Sequence, residues 1–165
     1  MLLIASYHES PFIYGLIKSS LAIGGMLFGI LLARVILKNI KSGKKFILAY
    51  LFFGLFLVTS AFFSNNLLII VTLILGGGFY SLSHITTNVI EKGLIPEEHF
   101  AKISSSRYTI SVGIMPLGSI FFGIFSEYIP VFWFFIAFGL CYILIAFLHF
   151  SNKRVRDFDI GEKND

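Results

Sequence analysis

Five apolar blocks, each near or beyond the ~20 residues a helix needs to cross the hydrocarbon of a bilayer, constrain this chain more than any other feature. They run over residues 12–37, 46–63, 67–90, 108–125 and 131–150, and the charged residues gather in the gaps between them. Lipid offers no partner to bare backbone N–H and C=O groups, so spans of this kind must be helical. The expected fold is all-α, a polytopic membrane helix bundle with five complete spans. Composition agrees, because 13% of the residues are charged where an ordinary soluble domain has about a quarter. Met1–Tyr7 is apolar but too short to cross and lacks the basic start of a signal peptide, so it reads as a stub, the end of a span whose beginning is missing. Residues 1–150 form the expected membrane domain and residues 151–165 a charged cytosolic tail.

Every Lys and Arg except Lys18 falls in one of three clusters. Arg34, Lys38, Lys41, Lys44 and Lys45 flank or fill the first gap; Lys92, Lys102 and Arg107 belong to the third; Lys153, Arg154, Arg156 and Lys163 sit in the tail. The intervening connections, at Ser64–Asn66 and Ser126–Pro130, contain no basic residue. The positive-inside rule then places the three clusters in the cytoplasm, with the N-terminus outside and the C-terminus inside a cell membrane. The net charge of +4 therefore belongs to loops beside spans and does not point to nucleic acid. Cys141 is the single cysteine, so no intramolecular disulfide can form. The Ile, Phe, Lys and Asn bias fits an AT-rich bacterial genome.

The third block carries a polar stripe. After Leu67–Leu75 and Gly76-Gly77-Gly78, the residues Gly77, Ser81, His84, Asn88 and Glu91 recur at spacings of four, three, four and three, which a helix stacks on one face. Leu75, Phe79, Leu82 and Val89 take the opposite side. Such a stripe suits a protein interior or an aqueous path, and it makes Ser81, His84 and Asn88 candidates for a substrate or proton pathway. A histidine side chain ordinarily titrates near neutral pH, so His84 could relay a proton; the plainer reading is one interhelical hydrogen bond, and the same alternative holds for Ser81 and Asn88. Pro96-Glu97-Glu98 is expected to turn the chain, with the run to Arg107 returning through the cytosol and Glu91 and Arg107 at the interface.

Small residues mark other faces. Ala22, Gly25, Gly29 and Ala33 share one side of the first span, a pattern that lets helices approach closely in lipid. Lys18 lies on that face one turn outward, where it either points into the bundle as a pathway residue or snorkels to the headgroups. Thr109, Gly113 and Pro116 repeat the pattern in the fourth span, which Pro116 is expected to bend. Arg34, Lys44 and Lys102 are candidates for a cytosolic gate, since loop charges can pair differently in two states. No metal site is expected, because His8, His84, His99 and His149 are scattered over loops and different spans. The lone cysteine lacks a readable base, no paired carboxylates sit in the membrane, and no strand precedes the glycine run as a phosphate loop requires. Nothing in this supports an enzyme or a cofactor.

Tyr14-Gly15-Leu16, Gly24-Gly25, Gly29, Arg34 and Gly43-Lys44-Lys45 resemble the second span and following loop of a six-span half of a major facilitator superfamily transporter, in its weaker C-terminal copy. Ala33 stands where the stronger copy has an acidic residue. The run Asn88…Ile95-Pro96-Glu97-Glu98-His99-Phe100-Ala101-Lys102-Ile103-Ser104-Ser105…Gly113…Pro116-Leu117-Gly118…Gly123 is more specific. It is similar to the cytosolic loop and penultimate span of the drug-exporter branch, macrolide-efflux-like members included, with Ala101 for the usual glycine and Lys102 for the usual arginine. The resemblance maps the spans onto eight to twelve and the stub onto the end of seven. It implies a secondary transporter working by alternating access, with a site between two halves, a small organic substrate, the lipid bilayer and an N-terminal half as partners, and proton-coupled efflux. It also places Pro96 and Gly43 in the gate loops. On this mapping the chain alone is a half incompetent for transport. An accessory or interaction membrane protein, or an inert truncated product, is the alternative.

Overall fold

The computed structural model describes residues 11–36, 40–126 and 128–158. The stub at Met1–Tyr7, Lys38 and Lys163 lie outside the described residues. Helix α1 covers Pro11–Leu31 and passes into a π-helical turn at Leu32–Ile36. It is followed by α2 (Ser42–Phe62), α3 (Asn66–Leu94), α4 (Glu97–Ser126), α5 (Val131–Ser151) and the short α6 (Lys153–Arg156). All the described elements are helical, and five helices are long and apolar enough to cross a membrane. At 1.5 Å per residue, the 21 residues of α2 or α5 span about 30 Å, the thickness of the hydrocarbon.

The helices overrun the apolar blocks. The third gap, read as a loop to Arg107, narrows to Ile95-Pro96, because α3 continues to Leu94 and α4 begins at Glu97. Local chemistry accounts for this. Pro96 has no N–H to leave unpaired, its carbonyl accepts from His99 and Phe100, and Glu97 and Glu98 place negative charge on the positive end of α4. Likewise α2 starts at Ser42, so Gly43, Lys44 and Lys45 lie in its first turn and not in a loop. Lys102 rides on α4 for the same reason, and Pro96 is left at the junction. At the other end Asn65 caps α3, its Oδ1 accepting from the Leu67 amide at 2.9 Å.

Four spans pack as a row in the order α1–α3–α2–α5, with α3 and α2 central. Phe53 and Leu57 of α2 meet Ile69 and Leu73 of α3 in one core, with Leu21, Phe135 and Tyr142 against it. A second core joins Leu32, Ala49 and Leu82. Leu82 is fully buried there, although the polar-stripe reading turned it to lipid. Because the row covers α3 on two sides, a face opposite the stripe becomes interior. Between helices of equal greasiness the attraction is dispersion, which rewards close approach. Glycine supplies that approach. A side chain at Gly24 would overlap the Ile74 carbonyl and one at Gly77 would overlap the Leu21 carbonyl, while at Gly78 it would lie 2.7 Å from Phe28 Cβ. Gly54 and Gly139 do the same between α2 and α5, each within 2.7–2.8 Å of the other's carbonyl oxygen if given a Cβ.

Helix α4 stands off this row. No residue from Glu97 to Phe125 is buried. It touches its neighbours through Arg107, which bonds Glu91 and Asn88 of α3, and through the ring of Phe122, 4.9 Å from that of Phe134 on α5.

Candidate functional site

Polar groups buried in this row mostly satisfy themselves. Ser20 donates to the Leu16 carbonyl at 2.6 Å, Ser60 to Leu57 at 2.7 Å, Ser83 to Tyr80 at 2.7 Å and Thr86 to Leu82 at 2.8 Å. Each of those hydroxyls closes on its own helix, as buried donors must. They carry no free chemistry.

Ser81 and His84 differ. Both line a groove of about 730 Å³ along the α1–α3 seam, with Leu21, Ala22, Gly25, Met26, Ile30, Tyr80 and Ile85 as the other walls. Among the described residues neither the Ser81 hydroxyl nor the His84 ring nitrogens make a hydrogen bond. His84 stands edge-on to the Tyr80 ring at 4.6 Å, which fixes the imidazole plane from one turn away. Ser81 is placed by the absence of side chains opposite it. A Cβ at Gly29 would sit 2.5 Å from Ser81 Oγ, and one at Gly25 would sit 3.3 Å from Ser81 Cβ. Gly25 and Gly29 therefore serve a polar residue as well as packing. Ala22 from the same predicted stripe is exposed on the groove wall. A mostly apolar channel with a few convergent polar groups is the usual make-up of a small-molecule site.

Asn88 and Glu91, lower on the stripe, belong to a different constellation. Arg107 of α4 donates through Nη1 to Glu91 Oε1 and through Nη2 to Asn88 Oδ1, the latter at 3.1 Å. Asn88 is thus held at the foot of α4 and does not line the groove. Sequence reasoning left Glu91 and Arg107 as interfacial residues. The signal for their pairing was a carboxylate and a guanidinium facing each other across a proline-broken turn. The groove walls at Tyr80 and Met26 were also missed, although Tyr80 sits four residues before His84, the spacing of helical neighbours.

The remaining candidates lie apart. The Lys18 side chain is outside the described residues. Arg34 is exposed on the π-helical turn, and Lys44 and Lys102 are exposed on α2 and α4. A Cβ at Gly113 would meet nothing within 4 Å, and Pro116 lies in the same open stretch of α4. Among the described residues no group of His, Cys, Asp or Glu could hold a metal ion.

Five apolar helices of membrane length, packed through glycine notches, mark a multi-pass membrane protein. The model of one family, described as transmembrane secretion effector and of the major facilitator type, matches residues 2–164. The chain belongs to that family. No curated protein and no solved structure matches it.

Proposed function

We propose that this chain supplies the C-terminal half of a secondary active transporter that exports a small organic compound by alternating access. The observation that carries the reading is the α1–α3 groove, where the polar atoms of Ser81 and His84 make no hydrogen bond among the described residues while the neighbouring buried hydroxyls are self-satisfied. In a lipid-embedded protein such atoms need a partner, and a substrate or a proton relay is the partner a transporter provides. His84 is the titratable member of the pair, and Lys18, one turn outward of Ala22 in the sequence pattern, is the cation that would share the path. The open groove and the uncovered length of α4 suit a second bundle, the N-terminal half, rocking against this one. Arg34, Gly43, Lys44, Pro96, Lys102, Asn88, Glu91 and Arg107 lie toward the helix ends that carry the basic residues, which supports a reading with those ends in the cytoplasm and the N-terminus outside a bacterial plasma membrane.

The test is flux in inverted vesicles carrying this chain with a six-span N-terminal half supplied in trans. Dye accumulation driven by a proton gradient is expected with both halves and not with either alone. His84→Ala and Ser81→Ala should each lower it at least about tenfold while expression and helical content stay unchanged. Gradient-driven flux that survives both substitutions would remove the groove from the pathway. An accessory role would show as no flux in any combination.

A further inference from the structure

A second cavity lies away from that groove, where α2 begins and the chain leaves α5. It encloses about 550 Å³ and is lined by Ile40, Lys41, Lys44, Ile47, Leu48 and Phe150. Its walls are fixed from several directions. The Gly43 amide donates to the Phe158 carbonyl at 3.0 Å, and a side chain at Gly43 would overlap the Val155 carbonyl, so the segment after α5 is seated directly on the first turn of α2. The Arg156 guanidinium lies 5.6 Å from the centre of the Phe150 ring. His149, the residue before, stands edge-on to Phe46 of α2 at 5.2 Å.

The lining joins two basic residues to an apolar floor: Lys41 and Lys44 sit where α2 begins, Ile47 and Leu48 follow one turn further along α2, and Phe150 comes from α5. A free inorganic anion would have no use for the apolar floor. A zwitterionic lipid would gain little from two cations. A ligand with a negative head and a hydrocarbon chain uses both parts, and basic pockets between helices at a membrane surface recognise such lipids. The α2 N-terminus adds partial positive charge beside the same two lysines. Asp157 is within electrostatic reach of Lys44 and Lys41, but its carboxylate is engaged by Arg156 at 3.3 Å.

We propose that this cavity binds an anionic phospholipid, with the phosphate at Lys41 and Lys44 and the first part of an acyl chain on Ile47, Leu48 and Phe150. The bound lipid bridges α2 and α5 at the headgroup layer and is independent of whatever occupies the α1–α3 groove.

Native mass spectrometry of the full chain in detergent, titrated with phosphatidylglycerol or phosphatidylcholine, tests this. Phosphatidylglycerol should bind in preference to phosphatidylcholine. Replacing both lysines (Lys41→Gln with Lys44→Gln) should weaken it about 30-fold, roughly fivefold for each charge near the surface. The arginine pair (Lys41→Arg with Lys44→Arg) should keep it, and Lys92→Gln, which removes one charge elsewhere, should leave it unchanged. Glycerol phosphate, the headgroup without its chains, should fail to displace the lipid. Equal binding of the two lipids, full retention in the glutamine pair, loss in Lys92→Gln, or displacement by glycerol phosphate would each overturn the proposal. If the glutamine pair loses its helical circular dichroism, Lys44→Gln alone decides, with a fivefold loss expected and no change refuting the site.

Discussion

Helices α3 and α4 invite comparison, because they are adjacent, apolar and nearly equal in length at 29 and 30 residues. One is the centre of the packed row and the other is not buried anywhere from Glu97 to Phe125. Each carries glycines. On α3 the glycines at 76, 77 and 78 are buried against α2 and α1, whereas Gly113, Gly118 and Gly123 of α4 have nothing within 4 Å of an added Cβ. A small residue is therefore a packing device in one helix and an open notch in the other. What separates them is a complementary ridge on a neighbour: α1 offers the Leu21 carbonyl and Phe28 to α3, and no described helix offers the like to the middle of α4.

Substitutions that fill a notch should expose this difference most strongly. Gly24→Leu drives a side chain into the α3 backbone and should cost about 3 kcal/mol or abolish folding, whereas Gly118→Leu should cost under about 0.5 kcal/mol. Unfolding by sodium dodecyl sulfate in mixed micelles measures both, and equal losses would mean that α4 is packed as tightly as the seam. Removing bulk comes next. Leu82→Ala at the fully buried position should lose about 2 kcal/mol through the cavity left behind, while Leu117→Ala, exposed on α4, should be close to neutral. A large loss for Leu117→Ala in the isolated chain would show a neighbour on that face.

The tether between the two helices should be weaker than either effect. Arg107 is about half exposed, with 46% of its side-chain surface accessible, so water screens its pairing. A double-mutant cycle with Glu91→Gln and Arg107→Gln should give a coupling below about 1 kcal/mol. A coupling several times larger would mean that α4 is locked to α3. The smallest effect concerns the far end. The Arg156 hydrogen bond holds the Asp157 carboxyl below its ordinary range, with the charges of Lys44 and Lys41 adding to it. A depressed folded-state pKa contributes stability that is present above the unfolded carboxylate range and is lost as the pH falls through the folded value. Exchange of the Gly43 amide, bonded to Phe158, should therefore speed up slightly in acid beyond its intrinsic rate. No such change in wild type relative to Asp157→Asn would separate the ion pair from that bond.

Much of the fold was legible because lipid permits so few solutions. Five blocks of sufficient length forced five helices, whereas the stripe Gly77–Glu91 divides in the structure, Ser81 and His84 lining the groove and Asn88 and Glu91 meeting Arg107. Two things were not legible. Helix ends depend on backbone capping and dipole effects that apolar periodicity does not register, so Lys44 and Lys102 were placed in loops. Which face is inside depends on neighbours, so Leu82 was turned to lipid and Gly24, the tightest notch on α1, was passed over for Ala22. Sequence spacing gives a helix its faces, and the partner decides what each face is for. The polar contents of the groove were nameable in advance, but their unbonded state could be seen once the other hydroxyls were found to close on their own helices.

The bond between the Gly43 amide and the Phe158 carbonyl has a consequence for how the molecule is made. A donor in the first turn of α2 is matched to an acceptor beyond α5, and synthesis proceeds from the N-terminal side. During synthesis the Gly43 amide must therefore wait for its partner while the residues up to Phe158 are added. This contact of the row can close only after the ribosome has delivered the segment beyond α5, so it is among the last to form.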